Sequence, residues 1–523
     1  MTPRAAAPAR TAGALCLTLA VLAGCGSGNA GGTPSPSDDR ASAGVPSAPA
    51  ESRAPVPGKG SKDPDDINGD GHRDLVVPAC AGGCDPEKSV PRDERLAVVH
   101  GSAKGLDPAT RTVYGRGDLR LPREEQGTGG PDHLNTRQVT VADLDGDGFP
   151  DFVTTVAGER IEDANMVAPR SLPYVVWGGP DGPGKAGRAT PVPLPPAVAK
   201  LGLTQLVRGD FDGDGHHDLA GIAANESSLM VLYGPFSRSG APARSDATLP
   251  VENHQSLVVD DIDPTGTPRP TSLLVHDDGD GGQDGNTLYR AHRGSGLSPN
   301  GQRLRAGNAH AFGDFDGDGL RDVAVGDSGS RNDEPGYETE PADINGSLAV
   351  YPGKGGTPVS HRLPEPPKGA ANDYGPGGFV AADPDGDGRD GLLVATYEGA
   401  TLIDTDTDTD TDTDTDSDTD TDTDTDTDTD TDTGGDGDRR TQVLREGPAK
   451  VDGKKTPART RHARPAGAAD FDADGKDELI LHWAPDGLFA LYGEYPTYWW
   501  ITEGTTSRDR ASFVTTEFAA PSS

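Results

Sequence analysis

The hydrophobic residues of this chain fall into short runs that Gly-, Pro- and Asp-rich segments separate. Runs such as 174–177 and 229–233 are rich in Val, Leu and aromatic residues, and others, such as 138–142, alternate apolar and polar positions. Both kinds of short run predict β-strands rather than helices. After the N-terminus, no apolar run approaches the roughly 18 residues that cross a bilayer. The pattern therefore predicts an all-β fold of many short strands.

A nine-residue acidic pattern recurs seven times, each time just before such a run. Its complete form is Asp-x-Asp-Gly-Asp-Gly-x-x-Asp, and we number its residues position 1 to position 9. The copies, which we call loop 1 to loop 7, span residues 66–74, 143–151, 210–218, 261–269, 314–322, 383–391 and 470–478. They recur about every 67 residues, as the units of a repeat protein do.

The residue types in this pattern suit calcium. Ca²⁺ takes about six to eight oxygen ligands, and carboxylates at positions 1, 3 and 5 of a tight loop converge on one point. A backbone carbonyl at position 7 and a carboxylate at position 9 complete the set, while Gly at positions 4 and 6 permits positive φ. An EF-hand would place its last ligand at position 12 and flank the loop with helices, whereas here position 12 lies in a predicted strand.

Five loops therefore predict calcium sites. Their predicted ligands are Asp66, Asn68, Asp70, His72 and Asp74 in loop 1; Asp143, Asp145, Asp147, Phe149 and Asp151 in loop 2; Asp210, Asp212, Asp214, His216 and Asp218 in loop 3; Asp314, Asp316, Asp318, Leu320 and Asp322 in loop 5; and Asp470, Asp472, Asp474, Lys476 and Glu478 in loop 7. His216 and His217 could suggest a transition metal. We expect only the backbone of His216 to bind the ion, with both imidazoles facing solvent.

The two remaining loops depart from the pattern. Loop 4 has Thr265 at position 5 and Arg269 at position 9, so we expect the guanidinium to replace the ion and pair with Asp261 and Asp263. Loop 6 retains Asp383, Asp385 and Asp387 but has Gly391 at position 9, with Asp390 one place early. We expect loop 6 to hold calcium weakly if it binds the ion at all.

A second signature follows loops 1, 2, 3, 5 and 7: an apolar run that ends in Gly101, Gly178, Gly234, Gly353 or Gly493. A unit thus reads strand, acidic loop, strand, variable loop, strand and a weaker fourth strand, which is the pattern of a propeller blade. From about residue 63 to the end the sequence resembles the FG-GAP/VCBS repeat family, and segment 314–326 is close to its consensus. The resemblance implies a seven-bladed β-propeller, as in integrin α subunits, with calcium between the first two strands of a blade.

The N-terminus reads as an export signal over residues 1–24. It contains Arg4 and Arg10 and then an apolar run that is too short to span a membrane. The run ends in Leu-Ala-Gly-Cys25, which resembles a bacterial lipobox, so we expect Cys25 to carry lipid and to anchor the protein on the outer face of the cell membrane. An ordinary secretory signal with an incidental Cys is the alternative. Residues 25–62, rich in Gly, Ser, Pro and Ala, predict a disordered tether.

Two further segments of 63–523 carry predictions. Cys80 and Cys84 flank a short flexible loop in an exported chain and predict a local disulfide, because a metal site would lack other ligands nearby. The Thr-Asp repeat within residues 404–438 repels itself and has no apolar residues, so it predicts a disordered insert. We expect it to lie between the third and fourth strands of blade six, 400–403 and 441–444.

The termini predict how the ring closes. Segment 58–65 is polar and contains Pro, so blade one lacks a first strand of its own. Blade seven already has four candidate strands at 467–471, 478–483, 488–492 and 498–502, and the run 512–518 is left over. We expect this surplus run to cross to blade one as its inner strand, because an open ring would leave unpaired edges.

Composition narrows the function. The chain has 523 residues and a net charge of −38, which argues against nucleic acid as a partner and favours divalent cations. Hydrolase, phosphate-loop and dinucleotide motifs are absent, so we expect no enzyme. The family resemblance implies an adhesion or binding platform for a surface protein. Carbohydrate or wall-polymer binding, with stacking on 498–500, is the alternative, and a propeller enzyme is the third.

Overall fold

The computed structural model describes residues 45–47, 49, 52–80, 94–124, 134–163, 166–251, 255–277, 282–329, 344–365, 378–404, 432–433, 438–451, 453–485 and 497–518. In this part of the chain, regular structure consists of β-strands and three short 3₁₀ turns. The prediction of an all-β fold is confirmed. The part of the chain that the structure describes has no helix long and apolar enough to cross a membrane.

The strands form seven antiparallel sheets, which we call blade 1 to blade 7. Their strands are Leu75–Cys80, Glu94–Val99 and Arg111–Tyr114 in blade 1; Thr140–Ala142, Asp151–Asp163, Met166–Val176 and Thr190–Pro191 in blade 2; Leu203–Gly209, Asp218–Ala223, Ser228–Tyr233, Arg244–Ser245 and Leu249–Pro250 in blade 3; Gln255–Val259, Leu273–Asp277, Asn286–Tyr289 and Gln302–Leu304 in blade 4; Ala309–Gly313, Asp322–Gly326, Ser347–Tyr351 and Val359–Arg362 in blade 5; Phe379–Ala382, Gly391–Thr396, Gly399–Asp404, Arg439–Val443 and Asp432–Thr433 in blade 6; and Arg464–Ala469, Glu478–Trp483, Tyr498–Thr502 and Asp509–Val514 in blade 7.

Smaller elements decorate these sheets. They are the hairpins Ala291–His292 with Gly296–Leu297 and Lys450–Val451 with Lys454–Lys455, and the 3₁₀ turns Thr136–Gln138, Ala458–Thr460 and Thr515–Glu517. Within the blades, neighbouring strands mostly follow chain order, so each acidic loop joins the first and second strands where both are present. In blade 6, strands Gly399–Asp404 and Arg439–Val443 pair directly, which confirms the predicted position of the Thr-Asp insert.

Seven apolar clusters join the blades into a ring, and each cluster is shared by two neighbours. The cluster of blades 3 and 4, for example, contains Phe211, Ile222 and Leu273, all fully buried. Alternate strand residues point to opposite faces, so each sheet contributes side chains to the clusters on both sides. One of the seven clusters joins blade 7 to blade 1 and closes the ring. The prediction of a seven-bladed propeller is confirmed.

The way the ring closes differs from our expectation. Strand Asp509–Val514 is the fourth strand of blade 7 and pairs with Tyr498–Thr502, so the prediction that this run becomes the inner strand of blade 1 is wrong. The third strand that we predicted at 488–492 lies outside the described residues, and Tyr498–Thr502 pairs directly with Glu478–Trp483. Side chains close the ring instead: Phe513 and Phe518 pack in the cluster shared with blade 1, and the Arg111 guanidinium lies 4.5 Å from the Phe518 ring centre.

In the described residues blade 1 has three strands, and the chain before loop 1 contacts the acidic loops of blades 1 and 2. Gly58 N–H donates to the Asn68 carbonyl (2.8 Å), and Ser61 N–H donates to the Gly148 carbonyl in loop 2 (2.8 Å). A Cβ at Gly58 would lie 1.7 Å from the Gly69 carbonyl oxygen, so only glycine permits this approach. Residues 52–62, which we assigned to the tether, therefore contact blades 1 and 2.

A half-buried ion pair also fixes this segment. Arg208 of blade 3 contacts both carboxylate oxygens of Asp65, at 2.7 and 2.9 Å, and donates to the Val141 carbonyl of blade 2. The pair borders a cavity of about 330 Å³ that the first strands of blades 2, 3 and 4 line. Charge and backbone contacts therefore link blade 1 to blades 2 and 3 where strand pairing is missing.

Three predictions fall outside the described residues. They are the export signal with its lipidated Cys25, the Cys80–Cys84 disulfide and most of the Thr-Asp insert.

Candidate metal centres

The first carboxylate of each complete loop organises the turn around itself. In loop 3, Asp210 accepts the backbone N–H groups of Asp214 (3.0 Å) and Gly215 (3.1 Å). The same two bonds recur in loops 1, 2, 6 and 7. Gly213 and Gly215 have φ of 66° and 89°, which a residue with a side chain adopts only with strain. The chain therefore wraps closely around position 1.

The position 5 carboxylate fixes the next residue of the predicted ligand set. It accepts the backbone N–H of position 7 in all five complete loops, in the pairs Asp70–His72, Asp147–Phe149, Asp214–His216, Asp318–Leu320 and Asp474–Lys476, at 2.9–3.1 Å. Position 7 was predicted to bind through its carbonyl, and this bond holds the peptide next to it in place.

The position 9 carboxylate is buried and joins the loop to the rest of the blade. In loop 3, Asp218 accepts the Phe211 N–H (2.7 Å) from position 2 and the Gly234 N–H (2.8 Å) from the end of the third strand. The second bond recurs at Asp74–Gly101, Asp151–Gly178 and Asp322–Gly353. The Gly-ending runs and the acidic loops are thus two parts of one site.

These glycines are functional residues whose role the sequence analysis missed. A Cβ at Gly101, Gly178, Gly234 or Gly353 would lie 2.2–2.6 Å from a carbonyl oxygen at the end of the acidic loop. The signal was present in the sequence. At the corresponding place blade 4 has Ala291 and blade 6 has Thr405, and loops 4 and 6 are the two that lack a position 9 carboxylate.

Carboxylate oxygens converge in five loops, where one oxygen from each of three residues lies within 4.8 Å of the others. The groups are Asp143, Asp145 and Asp151; Asp210, Asp212 and Asp218; Asp314, Asp316 and Asp322; Asp383, Asp385 and Asp387; and Asp470, Asp472 and Glu478. Four of the five predicted sites are thereby brought together. Loop 1 has the same backbone turn, but Asn68 replaces one of the three acids, so it forms no acidic group of this kind.

These residues fit a calcium ion because several of their oxygens are buried without a hydrogen-bond partner in the described structure. The unpartnered atoms are one Oδ1 each of Asn68, Asp145, Asp212, Asp314 and Asp472. A buried acceptor without a partner costs about 1–3 kcal/mol, more when it is charged. A hard divalent cation satisfies such oxygens directly. Four of these five atoms belong to position 3, which the predicted ligand set includes.

Electrostatics supports the same conclusion. Burial, with smaller contributions from neighbouring carboxylates, raises the pKa of Asp151 and Asp218 to about 8 and that of Glu478 to about 7. Burial likewise raises the pKa of Asp66 and Asp322 to about 6. Burial therefore disfavours the charged form of these carboxylates, and a bound cation would offset that cost.

Basic side chains reach the edge of four acidic groups. Arg238 contacts Asp145 and Asp147 of loop 2, and Arg244 contacts Asp212 of loop 3 at 2.8 Å. Lys354 contacts Asp316 of loop 5 at 2.6 Å, and Arg510 lies 3.4 Å from Asp472 of loop 7. These cations offset part of the negative charge and are well exposed, so they leave the buried oxygens free.

Loop 4 uses a different carboxylate from the one we predicted. Arg269 forms an ion pair with Asp260, the residue before position 1, and donates to the Asp261 carbonyl at 2.6 Å. The prediction that it pairs with the carboxylates of Asp261 and Asp263 is wrong. Asp260 is buried and also binds Arg321 of blade 5 at 3.0 Å, so two guanidinium groups compensate one charge. The structure remains consistent with an arginine that replaces the ion in this loop, but the carboxylate that the arginine binds is Asp260.

Loop 6 uses Asp390 for another contact. Its carboxylate accepts the Asp314 N–H (2.7 Å) of loop 5 and pairs with Arg321 (2.8 Å). The acidic group of loop 6 consists of Asp383, Asp385 and Asp387, so Asp390 does not stand in for the missing position 9.

Burial corrects the side-chain prediction for His217 and removes the basis for the alternative of sugar stacking on 498–500. His217 is buried, not solvent-facing, and its Nδ1 accepts the Asp143 N–H at 2.8 Å, while His216 is half-buried. In segment 498–500, Trp499 and Trp500 are 5% and 0% exposed and pack between blades, so they offer no stacking surface for a sugar.

Comparison with known proteins agrees with this architecture. Residues 135–168, which include loop 2, match the FG-GAP repeat. Phosphatidylinositol-glycan-specific phospholipase D of Rattus norvegicus is 28% identical over 185 residues, which cover 34% of this chain and 18% of that protein. The match therefore spans less than a fifth of the rat protein.

Solved structures resemble the chain distantly. An Agrocybe aegerita lectin that recognises non-reducing terminal N-acetylglucosamine covers 66% of this chain and 80% of its own, at 14% identity and a TM-score of 0.34. The V. cholerae biofilm matrix protein Bap1 covers 88% and 84%, at 10% identity and a TM-score of 0.24.

Seven antiparallel blades joined by shared apolar clusters define a β-propeller. The segment that matches the FG-GAP repeat lies in blade 2 of this propeller.

Proposed function

We propose that this protein is a calcium-stabilised β-propeller that serves as an extracellular binding platform. The observation that carries the calcium assignment is the set of buried, unpartnered oxygens in acidic loops 2, 3, 5 and 7. Calcium would be held by the carboxylates of positions 1, 3, 5 and 9 and the carbonyl of position 7. It would supply the positive charge that these buried groups lack.

The role of calcium in this proposal is structural. Each loop joins the first and second strands of a blade, and position 9 also binds the end of the third strand, so one ion fixes three strands. Sites of extracellular modules bind at about 10⁻⁴–10⁻³ M. At about 2 mM calcium, each would contribute roughly 0.6–1.8 kcal/mol.

The proposed location follows from the N-terminus. A lipid on Cys25 would hold the propeller at the outer face of the cell membrane, with the segment after it as a spacer. We propose a non-catalytic role, because the conspicuous buried carboxylates belong to the calcium loops. Adhesion to a surface protein is favoured over glycan binding, since the tryptophans on which sugar stacking was predicted are buried.

The calcium assignment is tested by titrating metal-free protein with CaCl₂ in a calorimeter and by measuring its melting temperature with calcium or chelator. We expect several sites and a melting temperature that rises with calcium. Asp212→Asn with Asp218→Asn should remove one site, whereas Asp263→Asn in loop 4 should remove none. An unchanged melting curve after verified metal removal would contradict the assignment.

The platform is tested separately. Immobilised protein is incubated with cell-surface extract, and in parallel with a glycan array, with calcium and with chelator. A saturable protein partner that is lost on chelation supports the proposal, whereas selective glycan binding supports the alternative.

A further inference from the structure

Position 8 has no place in the calcium ligand set, yet it makes a repeated contact. In blades 3, 5, 6 and 7 its side chain reaches back to the start of the preceding blade's loop. The residues are His217, Arg321, Asp390 and Asp477, and their partners are the Asp143 N–H, the Asp260 carboxylate, the Asp314 N–H and the Asp383 N–H.

The contact is reciprocal between loops 5, 6 and 7. Asp390 accepts the Asp314 N–H (2.7 Å) through Oδ2, and its own N–H donates to the Asp314 carbonyl (3.0 Å). Asp477 accepts the Asp383 N–H (2.8 Å), and its N–H donates to the Asp383 carbonyl (2.9 Å). Each pair therefore engages both backbone polar groups of the position 1 residue.

The covalent neighbours of these residues are what make the contact important for the metal. Asp314 and Asp383 are position 1 residues, around whose carboxylates their loops wrap. Asp477 is bonded directly to Glu478, the position 9 ligand of loop 7. An ion that immobilises Glu478 thus also immobilises the residue that holds position 1 of loop 6, and Asp390 passes the constraint on to loop 5.

We propose that Asp477 and Asp390 are positioning residues that couple loops 7, 6 and 5 into one calcium-responsive unit. This inference rests on the proposed calcium binding and deepens it. Loop 6, which lacks a position 9 carboxylate, serves in this unit as a link between two complete sites.

The unit has a defined end. Beyond loop 5 the position 8 residue is Arg321, which binds the Asp260 carboxylate of loop 4 and no backbone N–H there. Loops 2 and 3 are joined by the hydrogen bond from Asp143 N–H to His217 Nδ1, and Asp210 of loop 3 exchanges two hydrogen bonds with Thr271 of blade 4. These contacts lead to loop 4, which lacks the position 5 and position 9 carboxylates, so coupling through calcium should be strong within loops 5 to 7 and weak between that unit and loops 2 and 3.

The test follows hydrogen exchange of the full-length chain by mass spectrometry during a CaCl₂ titration, which gives a calcium midpoint for each loop separately. Calcium binding by loop 7 is removed with Asp472→Asn and Glu478→Gln, which we call loop 7 silencing. We expect the midpoints for protection of loops 6 and 5 to rise by about fivefold, a typical coupling factor. The midpoints of loops 2 and 3 should not change.

Substitutions at position 8 then identify the cause. Asp477→Ala should expose the Asp383 amide and abolish the effect of loop 7 silencing on loops 6 and 5. Asp477→Asn keeps an oxygen that accepts the same N–H, so it should retain the coupling. His217→Ala is the matched control and should raise the midpoint of loop 2 alone.

The outcomes separate the two ideas. If no loop of the unaltered protein gains protection with calcium, the calcium assignment fails and the coupling fails with it. If calcium protects the loops but silencing loop 7 leaves loops 6 and 5 unchanged, the coupling alone is overturned. If Asp477→Asn behaves like Asp477→Ala, the hydrogen bond is not its cause.

Discussion

Loops 3 and 4 lie in adjacent blades and compensate buried negative charge in two different ways. Both connect the first two strands of a blade and both contain buried carboxylate. Loop 3 concentrates Asp210, Asp212 and Asp218 and leaves a buried oxygen without a partner. Loop 4 has one buried carboxylate, Asp260, and two guanidinium groups that neutralise it. A blade can therefore be fixed by an ion from solution or by arginines of the chain itself.

The difference extends to the third strand. Gly234 follows the third strand of blade 3 because its N–H must reach Asp218, and a Cβ there would meet the His217 carbonyl at 2.5 Å. Blade 4 has Ala291 at the corresponding place, and its N–H donates to the Ser272 hydroxyl oxygen (3.1 Å) instead of to a carboxylate. Loss of calcium ligands and loss of the glycine therefore go together.

The largest loss of stability should come from Asp218→Ala. It leaves the buried N–H groups of Phe211 and Gly234 without an acceptor and removes a calcium ligand, so we expect a loss of about 3 kcal/mol in the free energy of unfolding. Denaturant unfolding measures it with and without calcium. Asp263→Ala at position 3 of loop 4 is the control and should change stability little. Equal losses for both would contradict the distinction between the loops.

The repeat and its chemistry could be predicted from the sequence, because residue type and spacing determine a nine-residue turn locally. The partner of Arg269 could not, since Asp260 precedes the pattern and its burial depends on Arg321 from the next blade. The same limit applies to His217, whose acceptor role requires the loop of another blade. The prediction of how the ring closes was wrong for a related reason. The last strand belongs to blade 7, and counting strands in the sequence does not reveal that Phe513 and Phe518 close the ring by packing.

Gly234→Ala should have the next largest effect, about 2 kcal/mol, because the added Cβ overlaps the His217 carbonyl and forces the third strand away from Asp218. Calcium affinity at loop 3 should fall as well. Ala291→Gly tests the corresponding place in blade 4, where the N–H binds the Ser272 hydroxyl and calcium affinity should not change. Chemical unfolding and calorimetry provide both readouts.

Arg269→Ala should cost less, about 1 kcal/mol, because Arg321 still binds Asp260 and Arg269 is partly exposed. The loss should be the same in calcium and in chelator, whereas that of Asp218→Ala should depend on calcium. Arg303→Ala, which removes an exposed ion pair with Asp277, is the control. A calcium-dependent loss for Arg269→Ala would indicate that loop 4 also binds the ion.

The stability of the metal-free protein should depend on pH, because its buried carboxylates favour the protonated form. The pKa of Asp218 and Asp151 is raised from 3.8 to about 8, so the folded state binds more protons than the unfolded state between about pH 4 and 8. The free energy of unfolding without calcium should therefore fall as pH rises through this window. With saturating calcium the decline should vanish, since the ion replaces the protons. Melting temperatures at pH 5 and pH 8 test this, and Asp218→Asn should reduce the slope.

The smallest expected effect is a change in the calcium affinity of loop 3 when Arg244 beside it is replaced. Arg244 lies 2.8 Å from Asp212 and also contacts Asp246, so its charge opposes a cation in the loop without occupying the buried oxygens. Arg244→Gln should tighten calcium binding by about twofold at low ionic strength, and the gain should shrink in about 1 M salt, where the Debye length is near 3 Å. Arg303→Gln, remote from the loops, should change neither. Weaker binding in Arg244→Gln would mean that the arginine holds Asp212 in place for the ion, and the contrast with loop 4, where arginine substitutes for calcium, would then need revision.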